Sequence, residues 1–199
     1  MHLIGITGGV GAGKSTVLDY LEKKYQAMII KADDIGRDLM EPKAPCYHQV
    51  ISLFGLDIIG DDRRIDREKL ARMVYESPKL LSKLNEIIHP QVKAKILDLI
   101  KAAESENIDF VFIEAALLIE DGYHLICKEL WYIYASMETR IQRLMTSRNY
   151  SRQKCLKIME NQNTEEIFRK YCVFEINNDT SIDDMQKQID QRMKTYEIV

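Results

Sequence analysis

Gly8-Gly9-Val10-Gly11-Ala12-Gly13-Lys14-Ser15 fits the spacing G-x-x-x-x-G-K-[ST] without exception. The stretch follows a compact apolar run, HLIGIT, and precedes Ser15 to Lys24, where Val17, Leu18, Leu21 and Tyr25 keep one helical face apolar. Strand, glycine loop and helix thus stand in the order that phosphate binding requires. Glycines let the backbone turn tightly so that successive N–H groups converge on a β-phosphate, and the helix beginning near Lys14 offers its positive end to the same anion. Lys14 can bridge β- and γ-phosphate oxygens and Ser15 can ligate Mg²⁺. The reading is a site for ATP or GTP.

Outward from this loop, the chain alternates. A second apolar run, Ala27 to Ile30, ends in Lys31, Ala32, Asp33 and Asp34, and reads as a parallel strand whose C-terminal end delivers carboxylates. From Pro42 to about Glu106 the period is helical, with breaks expected at Gly55, Gly60, Pro78 and Pro90. DFVFI (Asp109 to Ile113) and LWYIYA (Leu130 to Ala135) are too apolar for a one-sided sheet and suit a parallel sheet covered on both faces. Met137, Ile141, Leu144 and Met145 stripe the next helix, a polar bend covers Ser147 to Ser151, and a further helix reaches about Glu160. Cys172 to Ile176 reads as the fifth strand. Ile182, Met185, Ile189 and Met193 make the closing helix amphipathic. Such alternation implies a three-layer α/β fold.

Several side chains could carry chemistry. Asp33 and Asp34 follow the second strand, at the sheet edge where open α/β sheets bind ligands. A carboxylate there can accept a proton from an attacking hydroxyl; Asp33 is taken for that role, and Asp34 as the cap of a helix starting at Ile35. Glu114 closes the third strand, near a metal or substrate or in a plain loop contact, and Glu120 is a weaker candidate of the same kind. Arg140, Arg143, Arg148, Arg152, Lys154 and Lys157 form a basic run with no acid in it. Such a run is usually a solvated face, but after the fourth strand it stands where a lid can close over phosphates, with Arg140 and Arg143 on one helical face. His89, before Pro90, is either a helix-end contact or a substrate residue. Lys31 is a strand terminus or an extra phosphate partner, and Trp131 with its tyrosine neighbours reads as strand core.

Composition bounds these readings. The 199 residues carry a net charge of −3 and are 46% hydrophobic, one globular unit with an insertion rather than two domains. The balance of charge argues against a protein that coats nucleic acid. Yet Arg140 to Lys157 holds +6 and leaves −9 on the rest, a concentration suited to small polyanions. No apolar run approaches the ~20 residues that span a bilayer, and no signal peptide is legible, so the cytoplasm is expected, with no membrane and no obligate protein partner. Cys46, Cys127, Cys155 and Cys172 are scattered and read as free thiols.

Taken together, the residues resemble the dephospho-CoA kinase family over nearly the whole chain. The resemblance lies in IGITGGVGAGKSTV, ADDIGR at Ala32 to Arg37, EPKAP at Glu41 to Pro45, IHP at Ile88 to Pro90, ALLIE at Ala116 to Glu120, the segment Glu138 to Gln162, and INN at Ile176 to Asn178. It implies MgATP-dependent phosphorylation of the ribose 3'-hydroxyl of dephospho-CoA, the last step of coenzyme A synthesis. It also implies a P-loop fold with a five-stranded parallel core (about 1–41, 107–136 and 171–199), a helical substrate-binding region (about 42–106) and a lid (about 137–170).

By the same resemblance Gly9, Gly11, Ala12, Gly13, Lys14, Ser15, Thr16, Arg143 and Asn177 meet ATP. Asp33, Arg37, His89, Leu117 and Glu120 meet dephospho-CoA, and Asp33, Lys14 and Arg143 are catalytic. The chain departs from the usual family residues at Lys31, Ala116, Ser147 and Cys172, while the loop, Asp33 and Arg143 are kept. The alternatives are a kinase of another nucleoside or small alcohol and a non-catalytic ATP-binding module.

Overall fold

Every residue of β1 (His2–Thr7) after His2 is buried, as a strand covered on both faces requires. The computed structural model describes residues 1–196 of the chain; positions 197–199, the end of the segment expected to complete the core, lie outside the described residues. After β1 come α1 (Lys14–Tyr25), β2 (Met28–Lys31), α2 (Ala32–Asp38), α3 (Tyr47–Phe54), α4 (Arg67–Glu76) and α5 (Pro78–Ser105). The chain continues through β3 (Phe110–Glu114), β4 (Glu129–Tyr134), α6 (Met137–Arg148), α7 (Arg152–Glu160), α8 (Glu165–Tyr171), β5 (Phe174–Asn177) and α9 (Ile182–Lys194).

The five strands form one parallel sheet in the order β2-β3-β1-β4-β5. Ile4 of β1 sits opposite Phe112 of β3 and Glu129 of β4, and Trp131 of β4 opposite Phe174 of β5. The chain divides into two compact units, Met1–Ile30 with Ala103 onward, and Lys31–Ala102.

In the first unit the apolar stripes of α1 (Val17, Leu18, Leu21) and α9 (Met185, Ile189, Met193) are buried against the sheet, as their spacing anticipates. Ile182, the first residue of the expected α9 stripe, stays exposed in the first turn. Asp190 of α9 fastens α1, accepting hydrogen bonds from Tyr20 (2.8 Å), Tyr25 (2.6 Å) and Lys24 (2.7 Å). Trp131 is fully buried, and its Nε1 donates to Glu129 at 2.6 Å. α8 has only Ile167 and Phe168 as large aliphatic or aromatic residues before Tyr171, too few to announce a helix. Phe168 stacks on Tyr132 at 4.9 Å, so tertiary packing selects that helix.

In the second unit α3, α4 and α5 close around Val50, Phe54, Ile58, Leu70 and Leu84. Gly55 ends α3 and Pro78 opens α5, as expected. Pro90 does not break the chain: α5 runs through it for 28 residues. An interior proline costs about 3 kcal/mol, whereas Val92, Ile96 and Ile100 beyond it are all buried, each worth roughly 1.5–3 kcal/mol. Continuing the helix therefore wins.

All four cysteines are free thiols, and burial pushes Cys127 and Cys172 up to about 12. Among the described residues no helix is long and apolar enough to cross a membrane.

Candidate active site

α1 starts without a side-chain cap. Its N-cap is Gly13 at φ +91°, and no acid stands in its first turn. By contrast α6, α7 and α9 are each capped by their own serine, Ser136, Ser151 and Ser181. The Thr16 amide turns back to the Gly13 carbonyl at 3.1 Å, so the amides of Lys14 and Ser15, together with the helix dipole, are left for an external anion. Ser15 and Thr16 are exposed on that turn.

The carbonyls of the loop are held from outside. Lys14 Nζ donates to the Gly8 carbonyl at 2.9 Å. Arg140 Nε donates to the Val10 carbonyl at 2.9 Å, and Asn178 Nδ2 and Arg143 Nη1 donate to that of Ala12 at 2.7 and 3.2 Å. In a trans peptide the carbonyl and the following N–H point oppositely. Tethering Gly8, Val10 and Ala12 therefore turns the amides of Gly9, Gly11 and Gly13 the other way. None of these three bonds a protein acceptor among the described residues. A row of free amides beside a lysine is a phosphate cradle.

Glu114, at the end of β3, lies 3.5 Å from Lys14 Nζ, and both side chains are largely buried. The contact it makes is with the first residue of α1. Arg143 Nη2 donates to the Asn178 carbonyl at 2.7 Å, and Asn178 is buried. Asn177, the residue expected at ATP, is exposed and its side-chain oxygen accepts from the Asp179 amide. Its neighbour Asn178 is the one that reaches the loop. Asp179 in turn accepts from the Ser136 amide and hydroxyl at the start of α6. Partial burial opposes its ionisation, but hydrogen bonds from Thr139 and Ser136 outweigh this and hold its carboxyl below the ordinary value.

The basic run is mostly engaged. Arg152 forms a two-point pair with Glu138 at 2.7 and 2.8 Å, and Lys154 sits 3.8 Å over the Tyr150 ring. Burial lowers the Arg140 pKa from its ordinary value, yet guanidinium remains charged at neutral pH. Glu120 accepts from Asn163 at 2.7 Å, and Leu117 is exposed.

The second unit holds the other expected site residues. α2 begins at Ala32, directly after β2 and three residues earlier than expected, so Asp33 and Asp34 stand within its first turn. Asp34 is therefore not the cap: that position is Lys31, whose side chain makes no capping bond. Asp34 pairs with Arg37 one turn on, while the Asp33 carboxylate has no partner among the described residues. His89 is part-exposed within α5 rather than at a helix break.

A parallel α/β sheet with a tethered phosphate loop between β1 and α1 defines a P-loop nucleotide-binding protein. Residues 2–184 match the family model described as dephospho-CoA kinase. A dephospho-CoA kinase of Carboxydothermus hydrogenoformans is 37% identical over 189 residues, covering 95% of this chain and 91% of that protein. A solved Thermus thermophilus protein superposes with a TM-score of 0.81 at 28% identity, covering 100% of this chain and 98% of its own. The dephospho-CoA kinase from Campylobacter jejuni shares the fold, with a TM-score of 0.72 at 24% identity over 98% and 96% of the two chains. The chain belongs to the dephospho-CoA kinase family, ATP-dependent kinases that act on an alcohol group.

Proposed function

We propose that the chain transfers the γ-phosphate of ATP directly to the ribose 3'-hydroxyl of dephospho-CoA, releasing coenzyme A and ADP. The observation that carries the reading is the outward tethering of the Gly8, Val10 and Ala12 carbonyls, which leaves the intervening amides for phosphate. Family membership supplies the acceptor.

In this mechanism the loop amides and Lys14 hold the ATP phosphates, Asp33 takes the proton of the attacking hydroxyl, and Arg143 supplies positive charge beside the loop. Asp33 suits the role because its carboxylate is uncommitted, whereas Asp34 is tied to Arg37. Arg37 and His89, with Leu117 and Glu120, are assigned to the acceptor. The stretch 137–170 is assigned as the lid over the core, and 42–106 as the substrate-binding region.

The residues fit a Mg²⁺ that arrives with the nucleotide. Ser15 presents an exposed hydroxyl on the first turn of α1, and among the described residues no group of three His, Cys, Asp or Glu could hold a metal by itself. Magnesium commonly keeps water and phosphate ligands rather than a protein cage. When bound, it would neutralise charge on the transferring phosphate, with Ser15 as its protein ligand.

The test is coupled ADP release with dephospho-CoA against a panel of nucleosides, nucleoside monophosphates and small alcohols. Selective turnover of dephospho-CoA is expected. Preference for a nucleoside monophosphate, or ATP binding without turnover of any acceptor, would overturn the proposal.

A further inference from the structure

Val10 is where the phosphate loop meets the helices that follow β4. Its side chain packs against the cluster of Ile141, Leu144 and Cys155 on α6 and α7. Its amide donates to Gln162 Oε1 at 3.0 Å, and its carbonyl accepts from Arg140 Nε at 2.9 Å. Gln162 Oε1 also accepts from Arg140 Nη2 at 2.8 Å, closing a ring of three hydrogen bonds around one residue. The approach is close: a Cβ at Gly9 would overlap the Arg140 guanidinium.

These contacts differ from those of a phosphate ligand. Gln162 occupies the Val10 amide, so that amide is withdrawn from any bound anion. Arg140, directed at a carbonyl, spends its Nε on the loop rather than on a phosphate. Held at both its N–H and its C=O, Val10 fixes two successive peptide planes, and the second of these carries the Gly11 amide.

We propose that Gln162 is a positioning residue for phosphoryl transfer: with Arg140 it locks the Val10 peptides and so keeps the Gly11 amide aimed at the ATP phosphates. This rests on the kinase reading above and adds to it a residue that touches neither substrate. Gln162 lies between α7 and α8, 152 positions from Val10 in sequence. The loop is thereby anchored to the 137–170 stretch near its C-terminal end as well as through α6. A pre-set donor costs no reorganisation when the anion arrives, which is the physical gain expected from such a lock.

The test replaces Gln162 by methionine, similar in length but without the amide acceptor, and by glutamate, which keeps a carboxyl oxygen in place and has Arg140 to meet its charge. Affinity for a non-hydrolysable ATP analogue, KM for each substrate, kcat and melting temperature are measured on the full chain. Gln162→Met is expected to weaken the analogue and lower kcat/KM for ATP by roughly 10- to 100-fold, the range for orphaning a partly buried donor. KM for dephospho-CoA should be nearly unchanged, the melting temperature of Gln162→Met should fall by no more than the few degrees that one orphaned donor costs, and Gln162→Glu should retain affinity within about threefold of the parent. Unchanged analogue affinity in Gln162→Met would overturn the proposal. So would a loss in Gln162→Glu equal to that in Gln162→Met, or a KM for dephospho-CoA that rises in step with the loss of analogue affinity, since either marks Gln162 as a general structural brace. Analogue binding needs no acceptor, so a chain that phosphorylates something other than dephospho-CoA would still give the expected binding result. Failure of the acceptor assignment appears only in the acceptor panel.

Discussion

Alanine at Gly13 probes the loop where it meets Asn178. Gly13 holds φ at +91°, and a Cβ there would overlap the Asn178 amide nitrogen. The left-handed backbone alone costs an alanine roughly 1–2 kcal/mol. Displacing Asn178 breaks its 2.7 Å bond to the Ala12 carbonyl and leaves buried polar atoms short of a partner, about 1–3 kcal/mol more. Gly122 is the matched control: its φ is +75°, in the same unit, but the nearest atom to its would-be Cβ is 3.8 Å away. Gly122→Ala therefore carries the backbone cost alone, and the unfolded-state entropy gained by alanine cancels between the two variants. Urea unfolding of both should place Gly13→Ala below Gly122→Ala by about 1–3 kcal/mol. In a chain of this size each kcal/mol corresponds to roughly 2–4 °C in Tm. Affinity for the ATP analogue should collapse only in Gly13→Ala. Equal stability losses would refute the seating of Asn178 on the loop, and with it the outward tether of Ala12.

Asp33→Asn should lower turnover by roughly 100-fold or more, the scale of general-base loss, while analogue affinity measured by titration persists; near-normal kcat would remove Asp33 from the mechanism. At Asp190 partial burial opposes ionisation, but hydrogen bonds from Lys24, Tyr25 and Tyr20 outweigh it and hold its carboxyl below the ordinary value. A depressed folded-state pKa gives stability that is present above about pH 4 and lost as pH falls through the folded value. Asp190→Asn should therefore be less stable than the parent at pH 7, with the gap closing in acid when urea midpoints are compared across pH. Pro90→Ala restores an amide donor inside α5 and should raise stability by about 1–3 kcal/mol, read as a shift in urea midpoint without a change in slope.

The phosphate loop was legible because its chemistry dictates both residue type and spacing, and the buried strands because a sheet covered on both faces leaves an unbroken apolar run. Periodicity likewise marked the faces of α1 and α9. What escaped the sequence depends on contacts between distant residues. Proline at position 90 signals a break locally, and only the burial of Val92, Ile96 and Ile100 beyond it overrides the signal. The pair Asp33-Asp34 looked like one catalyst and one cap; the immediate start of α2 instead gave Asp34 to Arg37. In the INN stretch the resemblance named Asn177 and not its neighbour Asn178, whose bond to the Ala12 carbonyl joins residues 166 positions apart. Gln162 carries no local signal, because its role exists only through Val10 and Arg140.

Everything proposed for the acceptor side turns on which atom receives the phosphate. Incubating the chain with MgATP and dephospho-CoA, then locating the new phosphate by mass and ³¹P NMR, tests this most directly. Stoichiometric ADP and a ribose 3'-monophosphate, coenzyme A, are expected. A phosphate at another position, or ATP bound and dephospho-CoA recovered unchanged, would contradict the proposal.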